Sequence, residues 1–251
     1  MATCEFSPPP VYKFNLGANK QVVYLCGPHG VGKSTLIEDL KSFDMGRVRE
    51  QIAHMEGLTD NVSRQIWRNA LHCVEHRENL WYAMHQSPNS VVIGDRCWLD
   101  DRAYVNACAE LDWITPQHRD GIFKNADEVY EMSGTPKPER FIVLLPPLEW
   151  NIERIKERWT EGIPPKWCER NFHYLGVVRK QFEALTLAMA DQIEVVEDTD
   201  RKGRVKKVKN WLVRHEVEAE HSKNMQRVME VYSFSHDIEK QLNESRAFHY
   251  D

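Results

Sequence analysis

Gly27-Pro28-His29-Gly30-Val31-Gly32-Lys33-Ser34-Thr35 is the segment whose residue types and spacing most directly imply chemistry. Its glycines let the backbone turn with N–H groups facing inward, and they let an anion approach without meeting a Cβ. Lys33 supplies an ammonium where terminal phosphates would lie, and Ser34 supplies a hydroxyl suited to Mg2+. The apolar run Val22-Val23-Tyr24-Leu25-Cys26 comes before it, and Leu36-Ile37-Glu38-Asp39-Leu40 continues it with a helical pattern. Strand, loop and helix in that order aim the helix's unpaired donors and positive dipole end at the anion. The segment therefore reads as a phosphate-binding loop for ATP, with Gly27, His29, Gly30, Val31, Gly32, Lys33, Ser34 and Thr35 as its contacts.

A second constellation lies at Val91-Val92-Ile93-Gly94-Asp95-Arg96. An acid at the carboxyl end of a buried strand stands where an open α/β sheet places metal or catalytic carboxylates. Arg96 beside it can grip a phosphate bidentately. Arg154, Arg158 and Arg170 flank the segment Thr160 to Lys166, which carries Gly162, Pro164 and Pro165 and reads as a loop between arginine-bearing helices. Guanidinium groups on a closing segment neutralise the charge that phosphoryl transfer spreads over equatorial oxygens, so this is the anatomy of a lid. Arg64 and Arg68 share a helical face and are candidates for an acceptor phosphate. Trp67, Trp81, Tyr82 and Trp98 lie on the same side, as core residues or as a stacking surface for a base.

Short apolar runs alternating with longer polar stretches must position these groups, and that alternation implies a parallel sheet with crossover helices. Strands are expected at Val22 to Cys26, Arg47 to Arg49, Val91 to Gly94, Phe141 to Leu145 and Ile193 to Val196. Helices are expected at 33–42, 60–86, 99–110, 149–158, 168–189 and 202–215. The expected fold is an α/β three-layer sandwich with a five-stranded parallel sheet and a helical lid. Residues 1–19, with Ser7 to Pro10, read as an N-terminal arm. Residues 20–215 read as the catalytic domain, with the lid at about 154–172. Residues 216–251 read as a helical extension or a homodimer contact.

Bulk properties narrow the class. With 41% hydrophobic and 28% charged residues, the chain has a globular composition. No apolar run approaches the roughly 18–20 residues that span a bilayer. A net charge of -5 argues against a standing nucleic-acid binder. None of the six cysteines sits in a C-x-x-C pair, and a cytoplasmic setting with reduced thiols is expected.

These motifs, in this order, resemble the thymidylate kinase and deoxynucleoside kinase group of P-loop enzymes. Asp95-Arg96-Cys97 is similar to the Asp-Arg-Tyr triplet that follows the third strand in thymidylate kinases, and Ala103-Tyr104 matches the later Ala-Tyr pair. Ile152 to Arg158, then Glu169-Arg170, Phe172, Val178-Arg179 and Phe182, resemble the lid, its acid and the returning helix. The resemblance spans roughly residues 20–213. It implies transfer of the γ-phosphoryl group of ATP, with Mg2+, to a nucleoside or nucleoside monophosphate. Lys33, Asp95, Glu50, Arg158 and Arg170 would be catalytic, and Ser34 and Asp95 would hold the metal. Arg96, Arg49, Arg64, Arg68, Tyr104 and Arg154 would bind substrate. Arg49-Glu50 resembles the Arg-Glu pair of the same group, and either Glu50 or Asp95 would accept the acceptor's proton.

Cys97, Asp100 and Val105 replace the group's Tyr, Ser and Gln, and no Pro-Gly-Gly follows Glu50. These departures fall near the acceptor pocket, so the resemblance carries the phosphotransfer frame but not thymidine as the acceptor. Two other readings share the loop. One is a kinase acting on a hydroxyl of DNA or of a modified DNA base. The other is a regulatory nucleotide-binding switch, which the lack of a guanine-reading N-K-x-D motif disfavours.

Overall fold

A computed structural model of the protein describes residues 20–40, 44–45, 60–85, 91–164 and 168–214. The arm at 1–19, the strand expected at Arg47 to Arg49, and the extension at 216–251 lie outside these residues.

Four strands form the body of a parallel sheet: β1 (Gln21–Cys26), β3 (Val91–Asp95), β4 (Phe141–Leu144) and β5 (Ile193–Val196). A two-residue edge strand, β2 (Asp44–Met45), pairs with β3 and completes the order β2-β3-β1-β4-β5. The chain thus runs from β1 to the edge strand β2, returns to β3 between them, and then crosses β1 to add β4 and β5 on the other side. The carboxyl ends of β1, β3 and β4 border the crevice where such sheets bind ligands.

Alternation along the strands explains the layering. Val22, Tyr24 and Cys26 of β1 point into one core, and Val23 and Leu25 into the other. On β4, Phe141 and Val143 join the first core while Ile142 and Leu144 join the second. A strand buried on both faces needs this continuous apolar run. Each such side chain contributes roughly 1.5–3 kcal/mol through burial.

The first core packs under α2 (Asn61–His85), α3 (Trp98–Glu110), α5 (Leu148–Thr160) and α6 (Phe172–Ala188). The second packs under α1 (Lys33–Asp39) and α7 (201–214), where Val208, Trp211 and Leu212 are buried.

One helix, α4 (Pro116–Ser133), was not expected from the sequence. Its start is conventional: the Thr115 hydroxyl accepts from His118 N at 3.2 Å and Pro116 opens the first turn. Its buried stripe is only Ile122, Ala126 and Tyr130, at spacings of four, and Gly134 closes it at φ 62°. The expected helix over 168–189 begins at Phe172, because the Asn171 side chain caps Tyr174 N at 3.0 Å.

A buried polar network ties α2 to the sheet. His76 Nε2 lies 2.8 Å from the Pro136 carbonyl, which can only accept, so the ring proton sits there and Nδ1 accepts from the Tyr24 hydroxyl at 2.6 Å. Asn79 adds a bond to Tyr24 at 3.1 Å. Burial pushes the His76 pKa down to about 4, so the ring is neutral around pH 7.

Candidate active site

The glycines of the loop have positive φ: Gly27 at 137°, Gly30 at 76° and Gly32 at 87°. A Cβ on Gly27 would lie 2.5 Å from the Leu144 carbonyl oxygen, and one on Gly30 would lie 2.5 Å from Ile155 Cγ1. On Gly32 it would meet the Arg204 guanidinium at 2.8 Å. The loop is therefore wrapped by β4, α5 and α7, most rigidly at Gly27, where backbone stands against it. Gly32 is the N-cap of α1, so the helix opens straight out of the loop.

Lys33 is 6% exposed and lies across the loop, donating to the Gly27 carbonyl at 2.6 Å and the Pro28 carbonyl at 2.7 Å. Burial, reinforced by the nearby Arg96 charge and opposed by Asp100 and Asp95, pulls its pKa down to about 7. Ser34 is exposed at the first turn of α1 and Thr35 half-buried. Val31 is buried in the second core, and its carbonyl accepts from Arg204 at 2.8 Å.

The register Leu25↔Asp95 sets the ends of β1 and β3 side by side, so Asp95 and Arg96 border the loop. Asp95 Oδ1 is buried with no hydrogen-bond partner among the described residues. Arg96 holds a left-handed φ of 64°, a conformation that costs a non-glycine residue of order 1–3 kcal/mol and clusters at functional sites. Its N–H bonds the Leu25 carbonyl at 3.1 Å, and its guanidinium reaches Asp100 at 3.1 Å and the Tyr104 hydroxyl at 3.2 Å. Asp100 is fully buried and also accepts from Gly27 N at 3.3 Å, linking α3 to the loop.

Tyr104, buried at the centre, lies between two arginines. The Arg68 carbon sits 4.6 Å and the Arg96 carbon 5.7 Å from its ring centroid. Arg68 is held by Asp101 through Nε at 3.2 Å and Nη2 at 3.1 Å, and His72 Nδ1 takes the other Asp101 oxygen at 2.7 Å. Burial opposes charge on both Asp101 and His72. Their mutual attraction overcomes it, lowering the carboxyl and raising the imidazole. Asp101 thus anchors Arg68 from α3. Arg64 does not share that anchor; it is half-buried near Cys168, whose thiol its charge lowers against the upward pull of burial.

His29 projects from the loop toward the lid. Its ring meets Tyr104 edge-on at 5.0 Å, and Nδ1 lies 3.8 Å from Glu169. Glu169, 1% exposed, accepts from Arg158 at 2.8 Å. Thus Arg158 and Glu169 join the loop's surroundings. Arg154 and Arg170 do not: Arg154 pairs with Glu157 on the surface at 2.8 Å, and Arg170 is exposed. Arg49 and Glu50 lie outside the described residues.

Of the tryptophans expected near the acceptor side, Trp67 and Trp81 are 44% and 48% exposed. Trp98 is core, edge-on to Phe141 at 5.6 Å, and Tyr82 packs against the same core. The aromatics that do stack beside the site are Trp113 and Tyr174, parallel within 15° at 5.0 Å. Arg204 was also missed. It is 7% exposed, braced on Val31 and lies 5.0 Å from the Trp150 ring. Its contact with the loop spans 173 residues of sequence, which no local pattern signals.

No family model and no curated protein matches the chain. Solved structures do. Deoxyadenosine kinase from M. mycoides with products dCMP and a flexible dCDP superposes with a TM-score of 0.59 at 16% identity. The same enzyme with dCTP gives 0.58 at 17%, and with dATP 0.57 at 18%. Each covers 76% of this chain and 98% of that one. At such identities the likeness establishes the fold alone: the chain shares the α/β fold of these structures, a parallel sheet covered by helices. No helix among the described residues is long and apolar enough to cross a membrane.

Proposed function

We propose that the protein transfers the γ-phosphoryl group of ATP to a nucleoside or nucleoside monophosphate. The observation that carries this reading is the buried Lys33 ammonium lying across a loop of positive-φ glycines at the carboxyl end of the central strand. Two of its three protons go to Gly27 and Pro28 carbonyls, which leaves the third for a phosphate oxygen.

The acceptor side fits a nucleoside. Arg96 and Arg68 flank Tyr104, and the Trp113–Tyr174 pair offers apolar surface beside them. The neighbours of like fold are described with dCMP, dCTP and dATP bound, which makes deoxynucleosides the first acceptors to try. Arg158, held by Glu169 next to His29, would act as a lid cation, in a lid taken as about 154–172.

For magnesium, the unpartnered Asp95 oxygen and the exposed Ser34 hydroxyl are suitable hard oxygen donors. Bound there, Mg2+ would neutralise charge on the triphosphate. Glu50 stays the alternative to Asp95 as acceptor of the substrate's proton.

The test is a screen with ATP labelled at the γ-phosphate against nucleosides, nucleoside monophosphates and DNA, with Asp95→Asn as control. Label entering a nucleoside or nucleoside monophosphate, and lost with Asp95→Asn, is expected. Label entering only DNA, or only inorganic phosphate, would overturn the reading.

A further inference from the structure

We propose that Cys26, Cys97 and Asp100 form a binding site for a thiophilic divalent cation of the zinc class, directly beneath the phosphate-binding loop. The metal site stands apart from the kinase reading, whereas its effect on ATP rests on the triphosphate-binding loop of that reading. Cys26 closes β1 immediately before Gly27, Cys97 precedes α3 immediately after Arg96, and Asp100 lies in the first turn of α3. The parallel register Leu25↔Asp95 forces these positions together.

The geometry suits a tetrahedral ion. The two sulfurs stand 3.6 Å apart, and both, with an Asp100 oxygen, lie within 4.8 Å of one another. Zinc–sulfur bonds of about 2.3 Å at a tetrahedral angle set two thiolates roughly 3.8 Å apart. The thiols would therefore have to move only slightly to become ligands. Three protein ligands leave a fourth position open, the pattern of a site that can exchange its ion or take an outside ligand.

Charge balance favours the exchange. All three side chains are fully buried, and Lys33 and Arg96 lie close by. With neutral thiols and an ionised Asp100 the cluster carries one negative charge. A divalent ion that displaces both thiol protons gives two positive charges against three negative ones, which is again one negative charge. The two neighbouring cations, Lys33 and Arg96, are therefore met by the same net charge before and after binding. Both protons go to solvent, so affinity must rise with pH.

The site is wired to the loop. Asp100 Oδ1 accepts from Gly27 N at 3.3 Å and Arg96 at 3.1 Å, and Oδ2 accepts from Cys97 N at 3.4 Å. Ligating an ion withdraws charge from this carboxylate and so weakens its hold on Gly27 N and Arg96. The ion and a triphosphate should therefore weaken each other's binding reciprocally.

The experiment is a Co2+ titration of the reduced full chain followed by Zn2+ displacement, with X-ray absorption at the zinc edge. Expected are one ion per chain, a thiolate-to-cobalt charge-transfer band, and a zinc shell holding two sulfurs. The band should disappear in Cys26→Ser and Cys97→Ser. ATP affinity should fall several-fold in protein loaded with one equivalent of zinc. The absorption shell is read on the unaltered chain, so it decides the matter even if a variant fails to fold. Overturning results are a shell without two sulfurs, or a band that persists in both variants. Loss of two thiols that returns with dithiothreitol but not with chelator would mean a disulfide, and would also overturn it. Zinc binding with unchanged ATP affinity would refute the antagonism.

Discussion

Proton uptake at Lys33 should accompany triphosphate binding. Burial and the neighbouring Arg96 hold its pKa at about 7 against the usual 10.5. A triphosphate needs the charged ammonium, so neutral loops must first take up a proton. At pH 8 about nine-tenths of free loops would carry the neutral amine, a penalty of about 1.4 kcal/mol, or roughly tenfold in Kd relative to pH 6. At pH 9 the factor grows to about a hundred. The assay is equilibrium binding of a non-hydrolysable ATP analogue with Mg2+ between pH 7.5 and 9, where the nucleotide's own phosphate is already ionised. The wild-type Kd should climb nearly tenfold per unit, while Lys33→Arg, whose guanidinium stays charged, should be flat. A flat wild-type profile, or equal slopes in both proteins, would refute the reasoning.

Three further outcomes are expected. Gly27→Ala places a Cβ 2.5 Å from the Leu144 carbonyl at φ 137°, where only backbone can yield, and should lose about 2–4 kcal/mol in urea unfolding. Gly121→Ala in α4, with nothing within 4 Å of its Cβ, should gain about 0.5–1 kcal/mol. Arg158→Ala should lower kcat roughly tenfold with little change in the KM for ATP, whereas Arg154→Ala, spent on an exposed pair, should stay within about twofold; steady-state kinetics decide.

The neutral His76 contributes stability that is whole above pH 6.5 and is lost as pH falls toward 4, up to roughly 3 kcal/mol. His72, raised by Asp101 against the pull of burial, runs the other way, its share present below pH 6.5 and lost as pH rises through its folded value. Urea midpoints should therefore drop on acidification in the wild type, and drop less in His76→Gln.

The sequence made the loop, β1, β3 and the Asp95-Arg96 turn legible because each is a local pattern: an apolar run, glycines at fixed offsets, an acid at a strand end. Helix α4 escaped because its buried stripe is only Ile122, Ala126 and Tyr130 within a mostly polar stretch. The cap Thr115-Pro116 was the available signal. Arg68 was legible as a cation on a helix face. Its anchoring by Asp101 was not, because that pairing spans 33 residues and arises only once α2 packs on α3. The same holds for Arg204 against Val31 and for the Arg158–Glu169 pair beside His29. Asp100 caps its own helix, a local role, yet its bond to Gly27 across 73 residues depends on the register of β1 against β3.

Calorimetric titration of the full chain with Mg2+ and a non-hydrolysable ATP analogue tests the central claim most directly. One site per chain is expected in the wild type, with binding abolished in Lys33→Ala at an unchanged melting temperature. No heat of binding in the wild type, or equal affinity in the folded variant, would contradict it.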